Sequence, residues 1–194
     1  MSYGEAAMLD PLCIAIAAID RAGVRMGESL LVSGTTTIAM LVIMLAKATG
    51  IGPIVVLDTR PGRLDKAKAL GADHTFWLDP KWTEDTLAQA IIGELGHEGA
   101  DSSIECTGVA SALRVDITAT KQGGVCCRIG GGEPDQIVPI SAFALRDITL
   151  RGVHRLGAMS SNDASSFYVY SYCHSGIITL THARSNSFQA GELT

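Results

Sequence analysis

The strongest constraint on this chain is an alternation. From residue 29 to residue 153, short apolar runs take turns with stretches of helical pattern. "SLLVS" (29–33) leads into a helix over 37–49 that Gly50 ends. "PIVVLD" (53–58) leads into an amphipathic helix over 62–70 stopped by Gly71. "HTFWL" (74–78) precedes a helix over roughly 83–95, and "DSSIEC" (101–106) one over 109–120. "GVCCRIG" (124–130) follows, then a short extended segment, "QIVPI", and a sixth strand, "DITLRGV" (147–153). A helix over 6–21 leads in; a Ser-rich helix over 161–174 and a last strand, "GIITLT" (176–181), close the chain. Apolar runs of this length, bounded by turn residues, read as strands buried on both faces. Strands separated by helices of this length imply right-handed βαβ units. The expected fold is α/β, a Rossmann-like, doubly wound, mostly parallel sheet in a single domain over 1–194, with its core at 29–153 and a C-terminal helix and edge strand over 154–194.

Composition narrows the function. The 194 residues suit one domain with a substantial core. A formal net charge of -5 argues against binding a nucleic-acid backbone. The longest clean apolar run, "IAMLVIMLA", is too short to span a bilayer. "MSYGEAAMLDP" carries Glu5 and Asp10 and lacks the basic region of a signal peptide. The expectation is a cytoplasmic protein with no nucleic-acid or membrane partner. The five cysteines show no CxxC spacing, so neither a disulfide framework nor a structural zinc site is expected. Cys126 and Cys127 lie in an apolar run and read as buried free thiols. His74, His97, His174 and His182 have no metal-like spacing, and no metal site is expected.

In doubly wound sheets, ligands sit beyond the carboxyl ends of the strands. The residues there are Ser33-Gly34-Thr35, Asp58, Cys106-Thr107-Gly108, Ile129-Gly130-Gly131 and Val153-His154-Arg155. Asp58 ends the second strand, and a carboxylate there can accept from both hydroxyls of an adenosine ribose while repelling a 2′-phosphate, which favours NAD over NADP. Equally, Asp-Thr-Arg-Pro-Gly is good turn chemistry. A phosphate-cradling loop wants three glycines. Gly34 supplies the first; Thr36 and Ala39 stand at the other two. Thr35, Thr36 and Thr37 are good helix caps whose hydroxyls either replace water around a phosphate or cap the helix with nothing bound. Gly108, Gly130 and Gly131 recur where a flat ligand would need close backbone approach. Glu105 could be a buried partner for a backbone or Arg group and has no assigned role. His154 and Arg155 could supply a general acid and an anion clamp.

Five stretches in order carry a family resemblance: "YGEAAMLDPLCIAIAAIDRAGVRMGESLLVSG", "VVLDTRPGRLDKAKALGAD", "IECTGV", "GGVCCRIGGG" and "RDITLRGVHR". Together they resemble the cofactor domain of zinc-dependent polyol dehydrogenases of the medium-chain family, of the sorbitol, xylitol and L-arabinitol 4-dehydrogenase type. The resemblance implies a Rossmann-type domain of NAD ancestry. It also implies an N-terminal catalytic domain that bears most ligands of the zinc. Met1 stands where the cofactor domain begins, so that domain is expected to be missing here. Asp10 stands where the family has a glutamate beside the metal; one carboxylate cannot hold zinc alone.

Three functions follow. The first is a truncated relative that keeps the fold and binds NAD weakly or not at all, without zinc or hydride transfer. The second is a repurposed, zinc-independent isomerase, lyase or cyclase using the cleft for a small apolar metabolite. The third is a non-catalytic binding or structural module. Catalysis itself is left open, and a small-molecule ligand is expected in each of the first two cases. A homodimer is expected, paired through the sixth-strand region, "QIVPI" or "GIITLT".

Overall fold

The structure, a computed structural model, describes residues 7–79, 81–96 and 98–153. The elements run α1 (Leu9–Ala22), β1 (Leu30–Ser33), α2 (Thr37–Ala48), β2 (Ile54–Asp58), α3 (Pro61–Leu70), β3 (His74–Trp77), α4 (Glu84–Glu94), β4 (Ala100–Glu105), α5 (Ala110–Ala119), β5 (Thr120–Arg128), α6 (Ile140–Leu145) and β6 (Thr149–Gly152). The strands form a six-stranded sheet in the order β3-β2-β1-β4-β5-β6, and every pairing is parallel. The order reverses between β1 and β4, so the doubly wound sheet expected from the alternation is present.

Strand alternation sorts the apolar residues between two layers. Leu30 and Val32 of β1 face the layer of α1, α2 and α3, where they meet Ile14, Val42, Ile43 and Leu64. Leu31 of β1 and Val55 and Leu57 of β2 face the opposite layer, against Leu87 and Ile91 of α4 and Val115 of α5. A smaller cluster joins Leu113 and Ile117 of α5 to Cys126 and Ile148. A strand between two helical layers has no solvent face; all four β1 residues are buried. The helix ends follow local chemistry. Gly23 closes α1 in the left-handed conformation, at φ 68°. Thr36 and Thr83 cap α2 and α4 by accepting the amides of Ala39 and Thr86.

Two expectations need correction. β5 starts at Thr120, not Gly124: Thr120 pairs with Ala100, then the register shifts, and Val125 pairs with Ser102. The extra residues bulge out, which an apolar-run reading cannot see. "QIVPI" is not extended throughout, because Ile140 opens the six-residue α6, none of whose residues is buried. With Phe143 only partly buried against the core and no residue fully buried, that helix leaves no periodic signature. The helix expected at 161–174 and the strand at 176–181 lie outside the described residues. Cys126 and Cys127 are fully buried, as the apolar run implied. Among the described residues, no helix is long and apolar enough to cross a membrane.

Candidate functional site

At the switch point between β1 and β4 the carboxyl ends of the strands open onto a cavity of about 420 Å³. That volume is typical of small-ligand sites. Its apolar lining comes from Leu57, Leu78, Leu87, Val109, Ala112, Val115 and Trp82. Gly34, Asp58 and Thr107 reach it from the ends of β1, β2 and β4.

The first strand–helix turn depends on Gly34. Its φ is 93°, and an added Cβ would lie 2.5 Å from the methyl carbon of Thr107. The turn is tied to the second strand by Asp58. Thr35 donates its amide to Asp58 Oδ2 at 2.8 Å, and its hydroxyl donates to the same oxygen. Arg60 donates its backbone amide to Oδ1 at 2.8 Å. Asp58 is thus both a turn residue and a rim residue of the cavity, and three donors already occupy it. The Thr36 hydroxyl folds back onto α2 and accepts from Ala39 N at 3.3 Å. Thr37 is the first helical residue. Its amide and that of Ile38 have no intrahelical acceptor, as in any helix start.

The turn after β4 is organised by Glu105, which is fully buried. Its Oε1 accepts from Thr107 N at 2.6 Å, from the Thr107 hydroxyl and from Gly108 N at 2.9 Å. Arg128, its register partner on β5, lies 3.8 Å away. That guanidinium also donates to the carbonyls of Gly130 (3.0 Å), Gly108 (2.9 Å) and Gly131 (2.7 Å). Here the glycines meet one another. A Cβ on Gly130 would lie 2.0 Å from Gly108 N, and one on Gly132 2.0 Å from Gly108 O. The close backbone approach expected of a ligand at Gly108 and Gly130 is made by the two loops themselves. Gly131 has open space around it. The Cys106 side chain is buried in the α1–α2 layer, away from the cavity, and burial pushes its thiol well above the usual range. His154 and Arg155 lie outside the described residues.

Sequence reasoning missed Asp116. It is fully buried on α5, accepts from Ser33 Oγ at 2.5 Å through Oδ1, and leaves Oδ2 with no partner among the described residues. Burial, with the nearby Glu105 charge adding to it, pushes its carboxyl well above the usual range; the Ser33 bond opposes this. Arg128, Trp82 and Arg114 were also missed. Arg114 grips Glu84 at the cavity edge with two bonds, 2.7 and 2.6 Å, joining α5 to α4. Only Glu105 carried a signal: a charge inside an apolar run needs a buried partner. Among the described residues, no group of three or more His, Cys, Asp and Glu is arranged to hold a metal ion.

Residues 37–168 match the family model of the zinc-binding dehydrogenases. Human sorbitol dehydrogenase is 35% identical over 155 residues, and the sheep enzyme 36%. The chain belongs to the zinc-binding dehydrogenase family. The human alignment covers 80% of this chain but 43% of that protein, so the chain spans less than half the length of its curated relatives. Among solved structures, 2R,3R-butanediol dehydrogenase from Bacillus subtilis is 27% identical with a TM-score of 0.75, over 92% of this chain and 48% of that one. L-idonate 5-dehydrogenase from Escherichia coli is 25% identical with the same TM-score and the same coverage. The segments matched correspond to the cofactor-binding part of such enzymes, as the five ordered stretches implied.

Proposed function

We propose that this chain binds the adenosine half of NAD weakly and does not by itself oxidise a polyol. The observation that carries the reading is Asp58, at the end of β2 on the rim of an apolar cavity and tethered to the first strand–helix turn. The residues fit an adenosine: an apolar slot for the base and a carboxylate for the ribose. They fit it loosely, because Thr35 and Arg60 already donate to that carboxylate and Thr36 puts a branched side chain where the pyrophosphate would approach. NAD supplies hydride acceptance when bound; the residues here address its adenosine end. Among the described residues, none is assigned a part in the oxidation step.

Calorimetric titration with NAD, NADH and NADPH tests this. The expected result is NAD binding with a dissociation constant above about 100 μM, no stronger binding of NADPH, and loss of binding in Asp58→Ala. Absence of heat with all three would remove the nucleotide reading and favour a small apolar metabolite. Low-micromolar NAD affinity would mean that the threonines replace the glycines instead of crowding the site. Turnover of sorbitol or xylitol by this chain alone would overturn the second half.

We also infer a homodimer paired along β6. That strand ends the sheet among the described residues, and all four of its residues are exposed, Leu150 included. An open edge of this kind is a template for pairing. Light scattering is expected to give twice the chain mass, and Leu150→Lys to shift it toward monomer.

A further inference from the structure

We propose that the cavity selects a neutral purine nucleoside, so that phosphate adds little to affinity, and that Trp82 is the wall on which the base stacks. The proposal rests on the adenosine reading above and goes beyond it.

Trp82 is one of the residues lining the cavity. The residue is 42% exposed, and both its backbone and its ring have partners. Its backbone amide donates to Asp79 O at 2.9 Å, and Asp79 Oδ1 in turn accepts the Lys81 amide at 2.9 Å. Its ring meets Phe76 edge-on, with centroids 6.4 Å apart. The ring is thus packed on Phe76 and still partly exposed beside the apolar residues of the cavity. A flat heterocycle stacked on Trp82 in the cavity would bury more of that ring.

The polar part is built against anions. Among the described residues, the charged side chains lining the cavity are Asp58, Asp79 and Glu84, with no Lys or Arg. Arg114 neutralises Glu84 but spends its guanidinium on that bidentate pair and on Ile137 O. Arg60 gives the site its backbone amide, and its side chain is outside the lining. At the start of α2, the Ala39 amide is already taken by the Thr36 hydroxyl. A phosphate arriving there meets two first-turn amides, a threonine side chain and, among the described residues, two rim carboxylates, Asp58 and Asp79, with hydrogen-bond donors but no ion pair. A ribose hydroxyl needs only the acceptor capacity left on Asp58.

The test uses the whole chain and three probes, adenosine, AMP and NAD, by calorimetry. Trp82 fluorescence is followed in parallel in a Trp77→Phe background. Adenosine is expected to bind within about threefold of AMP and NAD or tighter, and to perturb Trp82 emission. Trp82→Ala should weaken adenosine about tenfold, and Trp82→Phe, which keeps a ring, should restore most of it. Thermal melts report whether each variant is folded. AMP or NAD binding more than about tenfold tighter than adenosine would overturn nucleoside selection while leaving the adenosine reading intact. Equal affinity in Trp82→Ala would overturn the stacking wall. No binding by any probe would remove both the inference and the reading beneath it.

Discussion

At the end of β1 the backbone turns into α2 through three consecutive threonines; at the ends of β4 and β5 it turns through Gly108 and Gly130-Gly131-Gly132. Both turns stand on the same rim of the sheet, and both have a buried carboxylate behind them. The difference lies in what each turn approaches. Gly108 and Gly130 approach each other's backbone, and neither has room for one more carbon. Thr36 instead turns its hydroxyl back onto the amide of Ala39 and caps α2. Glycine stands where backbone meets backbone, and threonine stands where a helix has to be capped.

The comparison breaks most sharply at Gly130. Alanine there would place a methyl against Gly108 N, with no flexible side chain able to give way. Gly130→Ala should cost more than about 3 kcal/mol in urea unfolding. Gly131→Ala, one residue on and with nothing within reach of the added methyl, should change stability by less than about 0.5 kcal/mol. Equal effects would mean that the glycine contact is not a structural lock.

The two buried carboxylates extend the contrast. Glu105 is satisfied by the Thr107 and Gly108 amides; among the described residues, the Asp116 carboxylate has one bond, to Ser33, and one oxygen without a partner. The raised carboxyl of Asp116 means the fold favours its neutral form. Its contribution to stability is therefore fully present below the unfolded carboxyl pKa of about 3.9 and is lost as pH rises toward the higher folded value. Asp116→Asn, neutral throughout, should show a smaller fall in stability than the parent above about pH 4 and be more stable at pH 7 by about 1 kcal/mol. Parallel stability–pH curves for the two proteins would show that Asp116 is ionised and solvated after all.

The layout of strands and helices was legible because each strand lies between two helical layers, and burial on both sides writes an unbroken apolar run into the sequence. Ser33, Asp58 and Glu105 could be placed at strand ends for the same reason. What they bond to could not. Asp116 meets Ser33 across 83 positions of sequence, and Thr35 meets Asp58 across 23; no periodic pattern encodes such pairs. Trp82 was passed over because the cavity it lines exists only in the folded chain.

At the threonine turn, the next largest effect is expected from Thr36→Gly. It removes the branched side chain and frees the Ala39 amide, so NAD should tighten about fivefold while adenosine stays within about twofold. The helix start should lose only a few tenths of a kcal/mol, since glycine is itself a fair cap. If adenosine tightened equally, the crowding would be at the ribose and not at the phosphate.

The smallest effect separates the two roles of Asp58. Thr35 sends both its amide and its hydroxyl to Oδ2, so removing the hydroxyl leaves the turn closed by the amide and returns one acceptor site to the cavity. Thr35→Ala should therefore tighten adenosine and NAD alike, by about two- to threefold, because the gain is at the ribose and is indifferent to phosphate. It should also cost about 1 kcal/mol of stability, as Thr35 is buried and its bond is to a charged group. The pair of outcomes is informative because the terms oppose each other: a bond that holds the fold is the one that competes with the ligand. Should Thr35→Ala instead weaken both ligands, the hydroxyl would be aiming the carboxylate at the ribose, and the threonine turn would be a rebuilt nucleotide site in its own right.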